Sequence, residues 1–166
     1  MMRHKQKGFT MVEIIVALAI FSLVVLFIMS LLFWFNYYNA KTKADREVVE
    51  NARRAMDIIA YEIKGAQAVY FPTTTANQLS LRTFRYAPLG EQEAYIDFFV
   101  CGTGLCLKKE SQSPILLTSS SVSVSNVAFS RVVNGSTVSV KMAMTVTDAH
   151  STASVDVAST VALRQY

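Results

Sequence analysis

Few residues in this chain of 166 have the type and spacing to do chemistry. Glu13 is the first. It stands at the head of an apolar run in which, from Ile14 to Phe35, the only polar side chains are Ser22 and Ser30. A carboxylate in such a segment costs a few kcal/mol on membrane-insertion scales, so it calls for a partner and a task. Just ahead of it, Gly8-Phe9 joins a basic stretch holding Arg3, Lys5 and Lys7 to the apolar run. Cys101 and Cys106 are the only cysteines. A structural zinc site needs about four ligands, and His150 is the only histidine besides His4, so no metal is expected. A redox dithiol is more usually spaced Cys-x-x-Cys, whereas four residues separate this pair. There is no Gly-x-Ser-x-Gly, no His-Glu-x-x-His and no phosphate loop. Two histidines leave little for acid–base work, so neither an enzyme nor a cofactor is expected.

The elements that must position these residues follow from where the apolar residues lie. They make up 52% of the chain, but residues 9–35 hold 23 in 27 positions and residues 36–166 hold 61 in 131. One greasy segment precedes an ordinary domain. As a helix, Ile14–Phe35 would be about 33 Å long, against about 30 Å of hydrocarbon core. No second long apolar run exists, which excludes a multi-span membrane protein. The basic flank predicts a cytoplasmic N-terminus, since Lys41 and Lys43 beyond the span are offset by Asp45 and Glu47. A cleaved secretory signal would have an apolar core of about 7–15 residues ending in a small-x-small site. This run continues instead into Trp34-Phe35-Asn36-Tyr37-Tyr38, an aromatic end suited to the membrane interface.

Beyond the run the helix is expected to continue. Val48, Ala52, Met56, Ile59, Ile63 and Ala66 recur every three or four residues, an amphipathic stripe. Glu50 and Arg54 form an i,i+4 pair in the favoured order. Gly65 weakens the last turn and Pro72 forbids continuation. One helix is therefore expected from about Thr10 to about Gln67, roughly 85 Å long. Arg53-Arg54 reads as a solvated face paired with Glu50 and Asp57 rather than as a nucleic-acid contact.

After Pro72 the period changes from 3.6 to 2. Strands are expected at Leu79–Phe84, Tyr95–Val100, Leu107–Lys109, Val122–Phe129 and Val155–Arg164, with a hairpin of Val132-Val133 and Val138–Met142 about an Asn134-Gly135 turn. With this head outside the cytoplasm, Cys101 and Cys106 are expected to oxidise to a disulfide pinning a hairpin tip. Gly102 and Gly104 would let the loop between them turn tightly.

The string KGFTMVEIIVALAIFSLVVL, from Lys7 onward, resembles the N-terminal signature of type IV prepilins and pseudopilins. The resemblance implies an α+β, pilin-like fold: one long N-terminal helix packed on a C-terminal antiparallel sheet. It implies a basic leader over residues 1–8, cleavage after Gly8 by a prepilin peptidase, and N-methylation of Phe9. Residues 9–35 would be a transmembrane and filament-core helix, 36–72 its amphipathic continuation and 73–166 the β-rich head. Glu13 would pair with the new α-ammonium of a neighbouring subunit. Partners would be other pilin or pseudopilin subunits, the peptidase and an inner-membrane assembly platform. The protein would sit in the inner membrane, then in a pilus or pseudopilus.

The chain departs from major pilins, which commonly carry a helix-kinking proline. Here Ser30 takes that place and no proline precedes Pro72, which tilts the reading toward a minor subunit. Arg53, Arg54, Ala55, Met56, Ile59, Glu62 and Ile63 also look like the helix end of W-type minor pilins and J-type minor pseudopilins of type II secretion. A different class, a non-polymerising bitopic membrane protein with an adhesive or ligand-binding head, would need neither Gly8-Phe9 nor Glu13. Of the net charge of +4, three units lie on Arg3, Lys5 and Lys7. Loss of the leader would leave a net charge of +1, so the basic balance gives little support for nucleic-acid binding unless the chain serves a DNA-uptake pilus.

Overall fold

The computed structural model describes residues 10–164. The first element is a helix, α1, over Met11–Gly65. No glycine or proline occurs between Phe9 and Lys64, so nothing in the sequence breaks the hydrogen-bond ladder before Gly65. Ser30 lies in regular helix. The chain divides into two compact units between Ala40 and Lys41, and α1 contributes to both.

In the first unit the helix is apolar on all sides, and its large apolar side chains from Met11 to Tyr38 are exposed apart from the half-buried Val25. It is long and apolar enough to cross a membrane. Trp34 and Tyr38, one turn apart, bring their rings to 4.5 Å between centroids, and Tyr37 meets Tyr38 edge-on at 5.9 Å.

In the second unit the same helix is amphipathic. Val48, Ala52, Ala55, Ile59, Ile63 and then Ala66 are buried. The stripe differs from the sequence expectation at one step: Ala55 takes the inner position and Met56 packs at its edge. A small residue there lets the helix backbone approach the sheet. The helix also ends at Gly65, and the segment expected to continue it forms a short strand, β1, over Ala68–Val69.

The remaining strands are β2 (Gln78–Thr83), β3 (Ala94–Cys101), β4 (Gly104–Lys109), β5 (Ile115–Leu116), β6 (Val122–Asn134), β7 (Thr137–Asp148) and β8 (Ser154–Ala162). They form two antiparallel sheets where the sequence suggested one. The first has five strands in the order β1-β2-β3-β4-β5 and the second has three in the order β6-β7-β8. The two-residue strands β1 and β5 are too short to show a period, which is why no sequence pattern marks them.

One core joins the helix stripe to the inner faces of both sheets. Leu79, Leu81, Ile96, Phe98, Leu105 and Leu107 supply the first sheet's share, and Val124, Phe129, Val140, Met142 and Val146 much of the second's. In β6 the inward residues change phase, from Val122 and Val124 to Val127 and Phe129. The register against β7 slips between Ser125 and Ala128, where Asn126 takes a φ of 52°. This bulge keeps apolar side chains inward on both sides of the slip, since a one-residue shift otherwise turns a strand's apolar face outward.

The β6–β7 turn also moves by one residue from its expected place. Asn134 pairs with Thr137, leaving Gly135-Ser136 as the loop. Gly135 alone takes a positive φ there, 60°, the arrangement of a turn with glycine in the first central position rather than of an Asn-Gly turn.

Candidate functional site

The residues that could be processed, assembled or cross-linked lie in three places. The first is the start of α1. Gly8, Phe9 and the basic residues Arg3, Lys5 and Lys7 lie outside the described residues, so only the downstream side is visible. There Thr10 caps the helix. The Glu13 N–H donates to Thr10 Oγ1 at 3.3 Å, and the Thr10 N–H donates to Glu13 Oε2 at 3.4 Å. Thr10 Oγ1 lies 3.5 Å from the same oxygen. The Thr10 carbonyl accepts from Glu13 N–H at 3.1 Å and from Ile14 N–H at 3.3 Å. This is a reciprocal capping box, Thr-x-x-Glu, in which two orphan amides of the first turn are satisfied. The sequence reading missed this local role, although Thr10 three residues before Glu13 is its recognised signature.

The bonds to the carboxylate are long. Charge-assisted bonds from an ammonium run about 2.7–2.9 Å and are roughly twice as strong as neutral ones. Glu13 is exposed, and a carboxylate has room for several donors. Its geometry therefore allows it to take a cationic donor from outside the chain.

The second place is the end of the helix stripe. Glu62 is only 4% exposed and carries a charge into the core. Lys109 Nζ at the end of β4 lies 2.9 Å from Glu62 Oε1. Tyr86 Oη donates to the same oxygen at 3.2 Å, and its ring lies 3.8 Å beneath the Lys109 ammonium. Burial pulls the Lys109 pKa down, but hydrogen bonds and charge from Glu62 and Tyr86 push it up, and the net shift is upward. A buried carboxylate without a counter-charge is costly, so this triad locks the helix end to the first sheet. Glu62 belongs to the pattern that resembles minor subunits, but nothing local marks Tyr86 or Lys109 as its partners. Farther up, Arg53 lies 3.9 Å from Asp57, and both are exposed. Among the described residues the expected Glu50–Arg54 pair is not formed.

The third place is the β3–β4 hairpin. Cys101 and Cys106 form a disulfide with Cα atoms 5.8 Å apart. In the ladder Cys101 faces Gly104 and Phe99 faces Cys106, so the bond runs diagonally across the hairpin. Of the two glycines, only Gly102 has a left-handed φ, 62°. Gly104 serves another need: a Cβ there would lie 2.5 Å from Leu116 Cδ1 and 2.8 Å from Thr118 Oγ1.

No cluster of three or more His, Cys, Asp or Glu side chains suited to a metal ion occurs among the described residues. No curated protein and no solved structure gives a significant match to the chain. Residues 3–33, which span Gly8, Phe9, the capping box and most of the exposed apolar helix, match the prokaryotic N-terminal methylation motif, a type IV pilin-like signal.

Proposed function

We propose that the chain is a structural minor pilin or pseudopilin subunit. In this reading it is cut after Gly8 by a prepilin peptidase, methylated at Phe9, and assembled into a type IV pilus or its tip or initiation complex. The observation that carries the reading is the match of residues 3–33 to the methylation motif, running into a helix with an all-apolar exposed surface. Such a surface finds similar surroundings in a bilayer and among packed helices of neighbouring subunits, so transfer between the two is nearly balanced.

Glu13 supplies direction to that transfer. Cleavage leaves the Phe9–Thr10 amide intact, so the capping bond from Thr10 N–H survives processing. Arrival of a neighbour's α-ammonium would add a charge-assisted partner to a carboxylate held by long, neutral bonds. A subunit out of register would keep the carboxylate without that partner among apolar helices.

Gly8→Ala is expected to leave the precursor uncut in the membrane fraction. Normal maturation would overturn the assignment and favour a bitopic protein that does not polymerise. Glu13→Gln separates the two roles of Glu13, because an amide keeps the acceptor of the capping box and loses the charge. It is expected to insert and be cleaved, then to be poorly incorporated into filaments. Incorporation at the wild-type level would leave Glu13 with helix capping alone.

The Arg53-Arg54-Ala55-Met56 to Ile63 pattern resembles W-type minor pilins and J-type minor pseudopilins alike, so a J-type minor pseudopilin of type II secretion is the second reading. Co-purification with pilus subunits or with secretion subunits separates the two.

A further inference from the structure

We propose that the head carries a binding cleft for single-stranded nucleic acid, formed by three arginines that no sequence run brings together. Arg85, Arg131 and Arg164 line one open cleft of about 680 Å3, and no acidic side chain lines it. Arg85 follows β2, Arg131 lies in β6 and Arg164 follows β8. Among the described residues none of the three makes an ion pair. Three guanidinium groups on one concave surface, with no counter-charge among the described residues, define a site for an anion.

The rest of the lining narrows the class of anion. Phe71 and Phe84 flank the cleft and are 52% and 61% exposed, and Val138 and Leu163 form part of its apolar lining. Arginine and aromatic faces are interleaved: Arg131 lies 5.0 Å over the Phe71 ring, and Arg85 lies 5.2 Å over the neighbouring Tyr61 ring. A free phosphate or a run of carboxylates would use the arginines and leave the rings in water. Single-stranded nucleic acid alternates an anionic phosphate with a flat base, and binding grooves for it combine basic groups with stacking platforms. Arginine suits this better than lysine, because its planar fork can stack on a ring and still donate in pairs to phosphate.

Arg85 is also fixed in place. Its guanidinium occupies the space beside Gly65 where a side chain would stand: a Cβ at that glycine would lie 2.5 Å from Arg85 Nη1. The single glycine of α1 thus lets the arginine rest against the helix end, where cations are favoured.

The experiment measures fluorescence anisotropy of a labelled oligothymidylate titrated with the full chain in detergent micelles, at several salt concentrations. Wild-type protein is expected to bind with an affinity that falls as salt rises. Arg85→Gln/Arg131→Gln/Arg164→Gln is expected to bind at least about tenfold more weakly, with a log–log salt slope shallower by about 2, at about 0.7 per phosphate contact. Phe71→Ala/Phe84→Ala is expected to lose about tenfold with the salt slope unchanged, as stacking is not screened. Arg53→Gln/Arg54→Gln, which alters exposed charge on the helix away from the cleft, is expected to bind as wild type. Should the triple variant fold poorly, Arg164→Gln alone, which has no ring partner among the described residues, carries the test with an expected loss of about threefold. Absence of wild-type binding would overturn the proposal, as would equal loss in the Arg53/Arg54 control. Competition by a polyglutamate peptide as effective as by the oligonucleotide would also overturn it, and would assign the cleft to an acidic protein partner.

Discussion

The two halves of α1 share one backbone conformation and opposite surfaces. From Met11 to Tyr38 the helix is apolar all round and exposed, while from Val48 to Ile63 it is apolar along one stripe and that stripe is buried. The second half finds its partner within the chain, because the head covers its stripe of Val48, Ala52, Ala55, Ile59 and Ile63 and leaves only Val49 and Tyr61 of its large apolar side chains exposed. The first half is left uncovered by the described residues of this chain. Helix formation is local in both, and the difference lies in where the partner comes from. An amphipathic stripe specifies an internal partner of matching shape, whereas an all-round apolar surface asks only for an apolar surrounding.

The sharpest way to break this comparison is to place a charge in each half. Ile59→Asp puts an unpaired carboxylate in the core and is expected to abolish the cooperative unfolding transition of the head, read by circular dichroism. Phe27→Lys is expected to oppose membrane insertion by about 3 kcal/mol while leaving the head transition unchanged. If Phe27→Lys lowered head stability, or Ile59→Asp spared it, the two halves would not be independent in the way described.

The next effect tests how the helix end is held. Lys109→Met strands Glu62 and is expected to cost the head about 2 kcal/mol, less than for a fully enclosed pair because the ammonium is partly exposed. The sign with pH follows from the direction of the Lys109 shift. A pKa raised on folding above its ordinary 10.5 means that the pair's stabilisation is fully present below about that pH. It is lost as pH rises through the raised value. Thermal melts between neutral and strongly alkaline pH should show that loss in wild type and a flatter curve in Lys109→Met.

A comparable cost, about 2 kcal/mol, is expected for Cys101→Ser/Cys106→Ser in the head, measured by denaturant unfolding. The smallest effect belongs to the other end of the helix. Thr10→Ala removes the cap and is expected to cost about 1 kcal/mol, read as faster amide exchange in the first turn with the head unchanged.

The long helix, the switch to antiparallel strands and the position of the hairpin cysteines are readable in the sequence, because each rests on a period or on a breaker residue within a short window. Gly65 and Pro72 place the helix end to within a few residues. What is not readable depends on distant segments. The division into two sheets lies between β5 and β6, which follow one another in sequence and do not pair. The replacement of Met56 by Ala55 in the stripe is decided by how closely the sheet approaches. The partners of Glu62 arrive from 24 residues away at Tyr86 and from the end of β4 at Lys109. The arginine cleft is the extreme case, since its three cations come from three different parts of the head. The capping box is different in kind: Thr10 and Glu13 carry its signature within four residues, so it is legible in the sequence alone.

The β3–β4 disulfide has a consequence for the order of events during maturation. Its cysteines are five positions apart on a hairpin whose turn is two residues long. Loops of this size close in well under a microsecond and hairpins form in about 1–10 μs. The thiols can therefore meet before α1 docks on either sheet. On the proposed reading, in which the head leaves the cytoplasm, their oxidation would record arrival in an oxidising compartment, with no information on whether the head has acquired its native core. A thiol-alkylation assay on the growing or arrested chain would thus serve as a clock for translocation, to be read separately from any probe of folding.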